Sequence, residues 1–327
     1  MLCFIILRKK IFDNPFGVLF FPFLLGSVII QWGFMKFRSI LYLVLHACLV
    51  AAGHILQKAV LNHGVDRFVF AFLRIASGFF LITLLLLSRH YRPLKIIRAN
   101  VRHFVMLGIF YSGCGILIKL WGLSYTTATN AAFIMSLSSV AAVMFAYFLL
   151  KETAPQHFYI VAAMMIVGVY LVSTKGQSLL PHKGDLIILG LVFLIGFMQV
   201  YGKRVLRELS VLATSFGRAF FGMIFLGALI PVFAPHGFST IPDFYTWLLI
   251  TANGLIFGGS ILTFYKALQA EGASNSAMFA LLVPVLTAGL GRILLAERLS
   301  LVQVAGGLII ISGSLLISRI KIQQGNL

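Results

Sequence analysis

The chain has 327 residues, 60% hydrophobic and 10% charged, with a mean hydropathy of +1.02. A soluble domain of that length has no way to hide so much apolar surface, so lipid is the solvent for most of it. The net charge of +18 would suggest nucleic acid in a soluble protein. Here the bases lie in short gaps between apolar runs, where they orient helices at a membrane, and nucleic acid is excluded as a partner.

Residues 1–35 stand apart. Residues 15–34 are apolar enough to cross a bilayer, but that crossing would be an eleventh and would put Lys36 and Arg38 outside. No small-x-small cleavage site lies near residue 33, which argues against a signal peptide. The expectation is that Met35 is the real start and that the extension is a mis-assigned start or a loosely attached helix.

Ten spans follow: 40–61, 67–87, 104–123, 127–150, 156–174, 185–202, 212–234, 244–266, 273–295 and 300–318. Each approaches the ~20 residues that a helix needs to cross the hydrocarbon core. Their connections carry breakers, among them Arg92-Pro93, Pro155, Pro181, Pro235-His236-Gly237 and Pro242. Residues 321–327 form a short tail.

The spans repeat. At a shift of 145, Thr129-Asn130-Ala131-Ala132 falls on Ser274-Asn275-Ser276-Ala277, Glu152 on Glu297 and Gly168 on Gly313. Upstream the register holds to within a residue, pairing Lys58 with Lys203, His54 with Gln199, Arg74 with Arg218 and Gly78 with Gly222. The chain therefore divides into a first unit, 36–175, and a second, 185–320, each with five spans. An odd number of crossings turns the second unit upside down, the arrangement that alternating access uses. With residue 36 inside, fourteen Lys and Arg flank the inner ends (Lys36, Arg38, Arg89 and Lys203 among them) against four outside, Arg67, Lys175, Lys183 and Arg298. Both ends of the ten-helix core are thus expected on the cytoplasmic side. The expected fold class is an all-α polytopic membrane protein in the cytoplasmic (inner) membrane of a bacterium.

The motifs carry a family resemblance. Phe70-Ala71-Phe72-Leu73-Arg74-Ile75-Ala76-Ser77-Gly78 and Ser215-Phe216-Gly217-Arg218-Ala219-Phe220-Phe221-Gly222 resemble an aromatic-x-x-Arg-x-x-x-Gly-like stretch in the second span of an EamA repeat. Ala267-Leu268, Ala273, Ala277, Pro284-Val285, Glu297-Arg298-Leu299, Gly306 and Gly313 resemble that repeat's fourth and fifth spans. Over residues 39–319 the chain resembles the drug/metabolite transporter superfamily, specifically its ten-helix members with two EamA repeats. It departs in having Ser139 where the second copy has Pro284, and in lacking both a Trp between Val44 and Gln57 and an acid in 40–61. The resemblance implies a transporter and leaves the substrate open.

Ionisable groups in a bilayer are costly, so each needs a reason. All eight acids lie at span ends or in connections, which argues against proton coupling through a buried carboxylate. His46 and His54 are the titratable groups of the first span; the plainer reading makes both neutral helix–helix contacts. The embedded bases are Lys58, Arg74, Lys119, Arg218 and Arg292. Inversion is expected to place Arg74 near one face and Arg218 near the other. There they either attract an anionic substrate or brace helix ends, with Arg74 paired to Glu297 and Arg218 to Glu152 as two gates. His54, Gln199, Asn130, Asn275, Tyr111, Ser112, Ser136, Ser260 and Tyr265 are expected to line a mildly polar central cavity, with helix–helix bonding as the alternative for any one of them. Gly113 and Gly258 are repeat mates and suggest paired bends in spans three and eight. Pro284 is expected to kink the ninth span, and its absence from the fourth predicts two unequal gates.

There is no HExxH, Cys-x-x-Cys, phosphate loop or DxDxDG-type loop, so neither a cofactor nor a metal is expected and an intramembrane enzyme is disfavoured. The partners expected are the bilayer and a small molecule, with a homodimer among the oligomeric states allowed. The expected function is a permease for an amino-acid-like or other carboxylate-bearing metabolite, working by export or exchange. A flippase for a lipid-linked or amphipathic substrate is the alternative.

Overall fold

The computed structural model describes residues 37–88, 100–150, 155–176, 180–280 and 282–319, with side chains over 41–88, 100–149, 155–176, 180–267 and 282–316. The N-terminal extension, Glu152 and the side chain of Asn275 lie outside the described residues.

The protein is membrane-embedded, and its described residues are all-α, with ten helices. Eight are long and apolar enough to cross a bilayer. They are α1 (Phe37–Asn62), α2 (Arg67–Ser88), α3 (Asn100–Tyr125), α4 (Ala128–Leu149), α5 (Gln156–Thr174), α6 (Lys183–Val205), α7 (Val211–Phe233) and α8 (Phe244–Ala280). Two shorter apolar helices complete the set, α9 (Leu282–Leu294) and α10 (Leu301–Arg319). Large apolar side chains such as Phe80, Phe148, Ile160 and Leu301 point outward, as a lipid-facing surface requires.

Helices related by the repeat make related contacts. α1 packs on α8 and α9, as α6 packs on α3 and α4; α2 packs on α8, as α7 packs on α3; α2–α7 and α5–α10 pair repeat mates with each other. In lipid the drive for such packing is close van der Waals approach rather than hydrophobic exclusion. Glycine supplies it at matched crossings. A Cβ on Gly78 would lie 2.8 Å from the Gly254 carbonyl, where α2 crosses α8. One on Gly108 would lie 2.8 Å from the Gly222 nitrogen, where α3 crosses α7.

Three expectations about helix shape change. First, the irregularity in α3 is a π-helical stretch, Met106–Cys114, in which the Gly115 N–H reaches back to the Phe110 carbonyl. α8 is regular around Gly258, so the bend is not paired. Second, the turn expected between spans eight and nine is absent: α8 runs on as helix to Ala280, leaving α9 only 13 residues. Third, Pro284 lies in the first turn of α9, where its missing N–H costs no helical bond, rather than mid-helix. α4 breaks at the repeat-equivalent point without proline. The Ser136 and Leu137 N–H groups bond three residues back, to Phe133 and Ile134, and the Ser136 hydroxyl also donates to the Phe133 carbonyl. Serine back-bonding does in one repeat what proline marks in the other.

Candidate functional site

Two polar regions stand out inside this apolar bundle. One closes an end of it. The turn between α3 and α4, around residues 123–130, is held by four other helices and by the segment that follows α9. Lys58 of α1 donates to the carbonyls of Leu123 and Thr126, at 2.6 and 2.8 Å, where a cation suits a helix C-terminus. Arg67 of α2 donates to the Ser124 hydroxyl at 2.9 Å, and Asp185 of α6 accepts from the Thr126 hydroxyl. Glu297, just past α9, accepts from the Ala128 N–H at 2.8 Å, the Thr129 N–H at 3.1 Å and the Thr129 hydroxyl at 2.6 Å. It caps the N-terminus of a helix in the other repeat, where a carboxylate meets unsatisfied N–H groups and the positive end of the helix dipole. Gln303 of α10 donates to Asn130 Oδ1 at 2.8 Å.

Local sequence explains how Glu297 reaches that far. Two residues past α9, Ala296 sits in the left-handed region at φ 54°, and the Glu297 N–H turns back onto the Gly291 carbonyl. A side chain on Gly291 would meet the Glu297 carboxylate at 2.9 Å. Glu297 thus bonds the helix start at 128–129, and no ion pair joins it to Arg74 among the described residues. Asn130 belongs to this closure too, bonded between helices rather than exposed to a central cavity.

The second region is the middle of the bundle, and it is basic. Arg74, Lys119 and Arg218 are all buried, at 9%, 9% and 6% exposure. The two arginines do not lie at opposite faces: both lean on the ring of Phe257 in α8, at 4.0 and 5.9 Å. Each is the eighth residue of its helix, only about a turn from the midpoint, so inversion separates them little.

Their surroundings differ. The Arg218 guanidinium stacks on Tyr111 at 3.7 Å, donates through Nε to the Ser112 hydroxyl at 2.8 Å, and points Nη1 at the Tyr265 hydroxyl at 3.4 Å. Tyr111 and Ser112 ride on the π-helical stretch of α3, and the Tyr111 hydroxyl faces Gln199. Arg74 lies on the Phe257 ring, and its Nε has no hydrogen-bond partner among the described residues. Nearby on α1, both ring nitrogens of His54 and the Oε1 of Gln57 are buried and unpartnered, as is the Oδ1 of Asn253 on α8. Asn253 Nδ2 is used: it donates to the Gly53 carbonyl at 3.0 Å. Among the described residues no carboxylate lies within ion-pair distance of Arg74, Lys119 or Arg218.

Of the other sequence candidates, Ser136 and Ser260 have their hydroxyls bonded to carbonyls of their own helices. His46 contacts the Ser260 carbonyl at 3.0 Å, a helix–helix bond. Sequence reasoning singled out neither Gln57, Asn253 nor Phe257. Gln57 lies one turn beyond His54 on the same helix face, and that spacing was the available clue.

A helical membrane protein whose repeat mates pack equivalently around a polar interior, closed by a hydrogen-bonded turn at one end, has the make-up of a secondary transporter. The EamA-like transporter family model matches residues 37–174 and again 182–319, and the chain belongs to that family. It is a transporter and not an enzyme. The uncharacterized transporter YyaM of Bacillus subtilis (strain 168) is 27% identical over 230 residues, 67% of this chain and 73% of its own. The riboflavin transporter ImpX of Fusobacterium nucleatum subsp. nucleatum is 22% identical over 254 residues, 74% of this chain and 84% of its own. A crystal structure with a TM-score of 0.63 and 17% identity covers 87% of this chain and 97% of that one, and shares the fold.

Proposed function

We propose that this transporter moves a small carboxylate-bearing metabolite, amino-acid-like or an organic acid, across the cytoplasmic membrane of a bacterium by alternating access, as an exporter or exchanger. The observation that carries the reading is the set of three buried bases, Arg74, Lys119 and Arg218, with no described acid beside them. A buried charge without a counter-ion is expensive, and such groups within a membrane mark substrate paths. An anionic substrate supplies the missing charge. Cross-repeat closure by Glu297 and Asp185 supports the alternating part: the bonds that hold this end shut are made between units that must separate when it opens. The charge bias of the connections favours this end as the outward one.

Counterflow in proteoliposomes tests the reading with labelled amino acids, hydroxy acids, dicarboxylates, riboflavin and a permanently cationic dye. Carboxylates are expected to exchange and the dye not to. Strong preference for the dye refutes the anionic reading, and preference for riboflavin, uncharged at neutral pH, moves the substrate away from carboxylates.

A further inference from the structure

Repeat symmetry makes Arg74 and Arg218 equivalent, yet the residues around them are not. At the shift of 145, Gln57, Lys119 and Asn253 correspond to Gly202, Phe264 and Gly108. Those three are thus replaced by glycine or phenylalanine in the mate, while His54 keeps a polar counterpart in Gln199. The first set converges. α8 passes α1 with Asn253 on the Gly53 carbonyl, and a Cβ on Gly53 would lie 4.0 Å from both the Asn253 and the Gln57 amide nitrogens. One turn further along α8, Phe257 carries the Arg74 guanidinium. α3, which bears Lys119, packs against both α1 and α2. The unpartnered groups are of two kinds, the Nε donor of Arg74 and the amide oxygens of Gln57 and Asn253, and Lys119 adds a buried cation with no acid beside it among the described residues. Arg218, by contrast, has acceptors for its donors and an aromatic platform already supplied by the protein.

We infer that Arg74 and Lys119 hold the anionic group of the substrate, while Gln57 and Asn253 accept a hydrogen bond from a hydroxyl or amino group next to it. The ligand class is a carboxylate with an adjacent donor. This rests on the carboxylate reading above and assigns its residues. A guanidinium fork and an ammonium suit a carboxylate, and buried amide oxygens left without a donor reject an analogue that lacks one. Arg218 is a brace. With His54 as neighbour, the site belongs to the Arg74 side of the bundle alone.

The test is binding to the full-length protein in detergent, using lactate against propionate, malate against succinate, and phenyllactate against phenylpropionate. In the wild type the hydroxylated member of at least one pair is expected to bind about tenfold tighter. Asn253→Leu narrows that gap, read as the affinity ratio within each pair, by weakening the hydroxylated member more than the plain acid. Lys119→Met weakens both members at least about tenfold, and because it deletes a buried charge without a counter-ion the protein melts no lower than wild type. Equal affinities within every pair overturn the donor contact. Binding that survives Lys119→Met and Arg74→Gln but disappears in Arg218→Gln overturns the assignment and leaves carboxylate transport standing. Failure of the wild type to bind any of the acids overturns the carboxylate reading itself.

Discussion

Arg74 and Arg218 began as the same residue of the same repeat and now live in different chemistry. Around Arg218 the chain has built a complete site: a tyrosine face at 3.7 Å, a serine oxygen at 2.8 Å and a tyrosine hydroxyl behind. Around Arg74 it has left donors and acceptors open, and added Lys119, which has no basic mate in the second repeat. In a two-fold scaffold the symmetric positions hold the bundle together, while the positions that broke symmetry carry the selectivity. Duplication supplies the transport cycle and divergence supplies the substrate.

If Arg218 is a brace, removing it is a structural injury. Arg218→Gln loses a desolvated cation–π contact and a charge-assisted hydrogen bond, partly offset by relief of a buried charge, and is expected to cost about 2 kcal/mol. Thermal unfolding in detergent reads this out. Arg74→Gln, which gives up a single ring contact and an uncompensated charge, should melt close to wild type. Equal losses would erase the distinction between the two.

A second asymmetry concerns the ends. Glu297→Gln keeps one acceptor but loses the charge at the start of α4, and should weaken the closure by about 1–2 kcal/mol. A cysteine placed at buried Val60, in a background without the native cysteines, should then react about five- to thirty-fold faster with a membrane-impermeant thiol reagent. On the same probe Ala296→Gly acts in the opposite direction. It relieves a left-handed conformation worth about 1 kcal/mol and slows labelling by a smaller factor. An unchanged rate for Glu297→Gln would mean that this carboxylate does not hold the end shut.

Much of the fold was legible because the bilayer leaves few options: apolar runs of span length, bases between them and a repeat at 145 lead to ten helices and to the family. The site was legible only in part. His54, Arg74, Arg218, Tyr111, Ser112 and Tyr265 stood out as polar groups in apolar spans, and all are buried or half-buried in the middle of the bundle. Lys119 is legible as an embedded base but not as part of the site, because repeat symmetry is the signal the sequence offers and Lys119 faces Phe264 in that alignment. Asn130 met that symmetry condition and is bonded instead into the end closure. The π-helical stretch of α3 leaves no compositional mark beyond Gly108, Gly113 and Gly115, since it is a backbone response to packing. The break in α4 escaped for a similar reason: proline announces such a break and serine does not.

The most direct measurement is exchange of a labelled hydroxy acid in proteoliposomes, comparing Arg74→Gln and Arg218→Gln with wild type below the melting temperature of both variants. Exchange lost in Arg74→Gln, at wild-type melting temperature, and retained in the less stable Arg218→Gln is the expected result. Exchange retained without Arg74 and lost without Arg218 would contradict it.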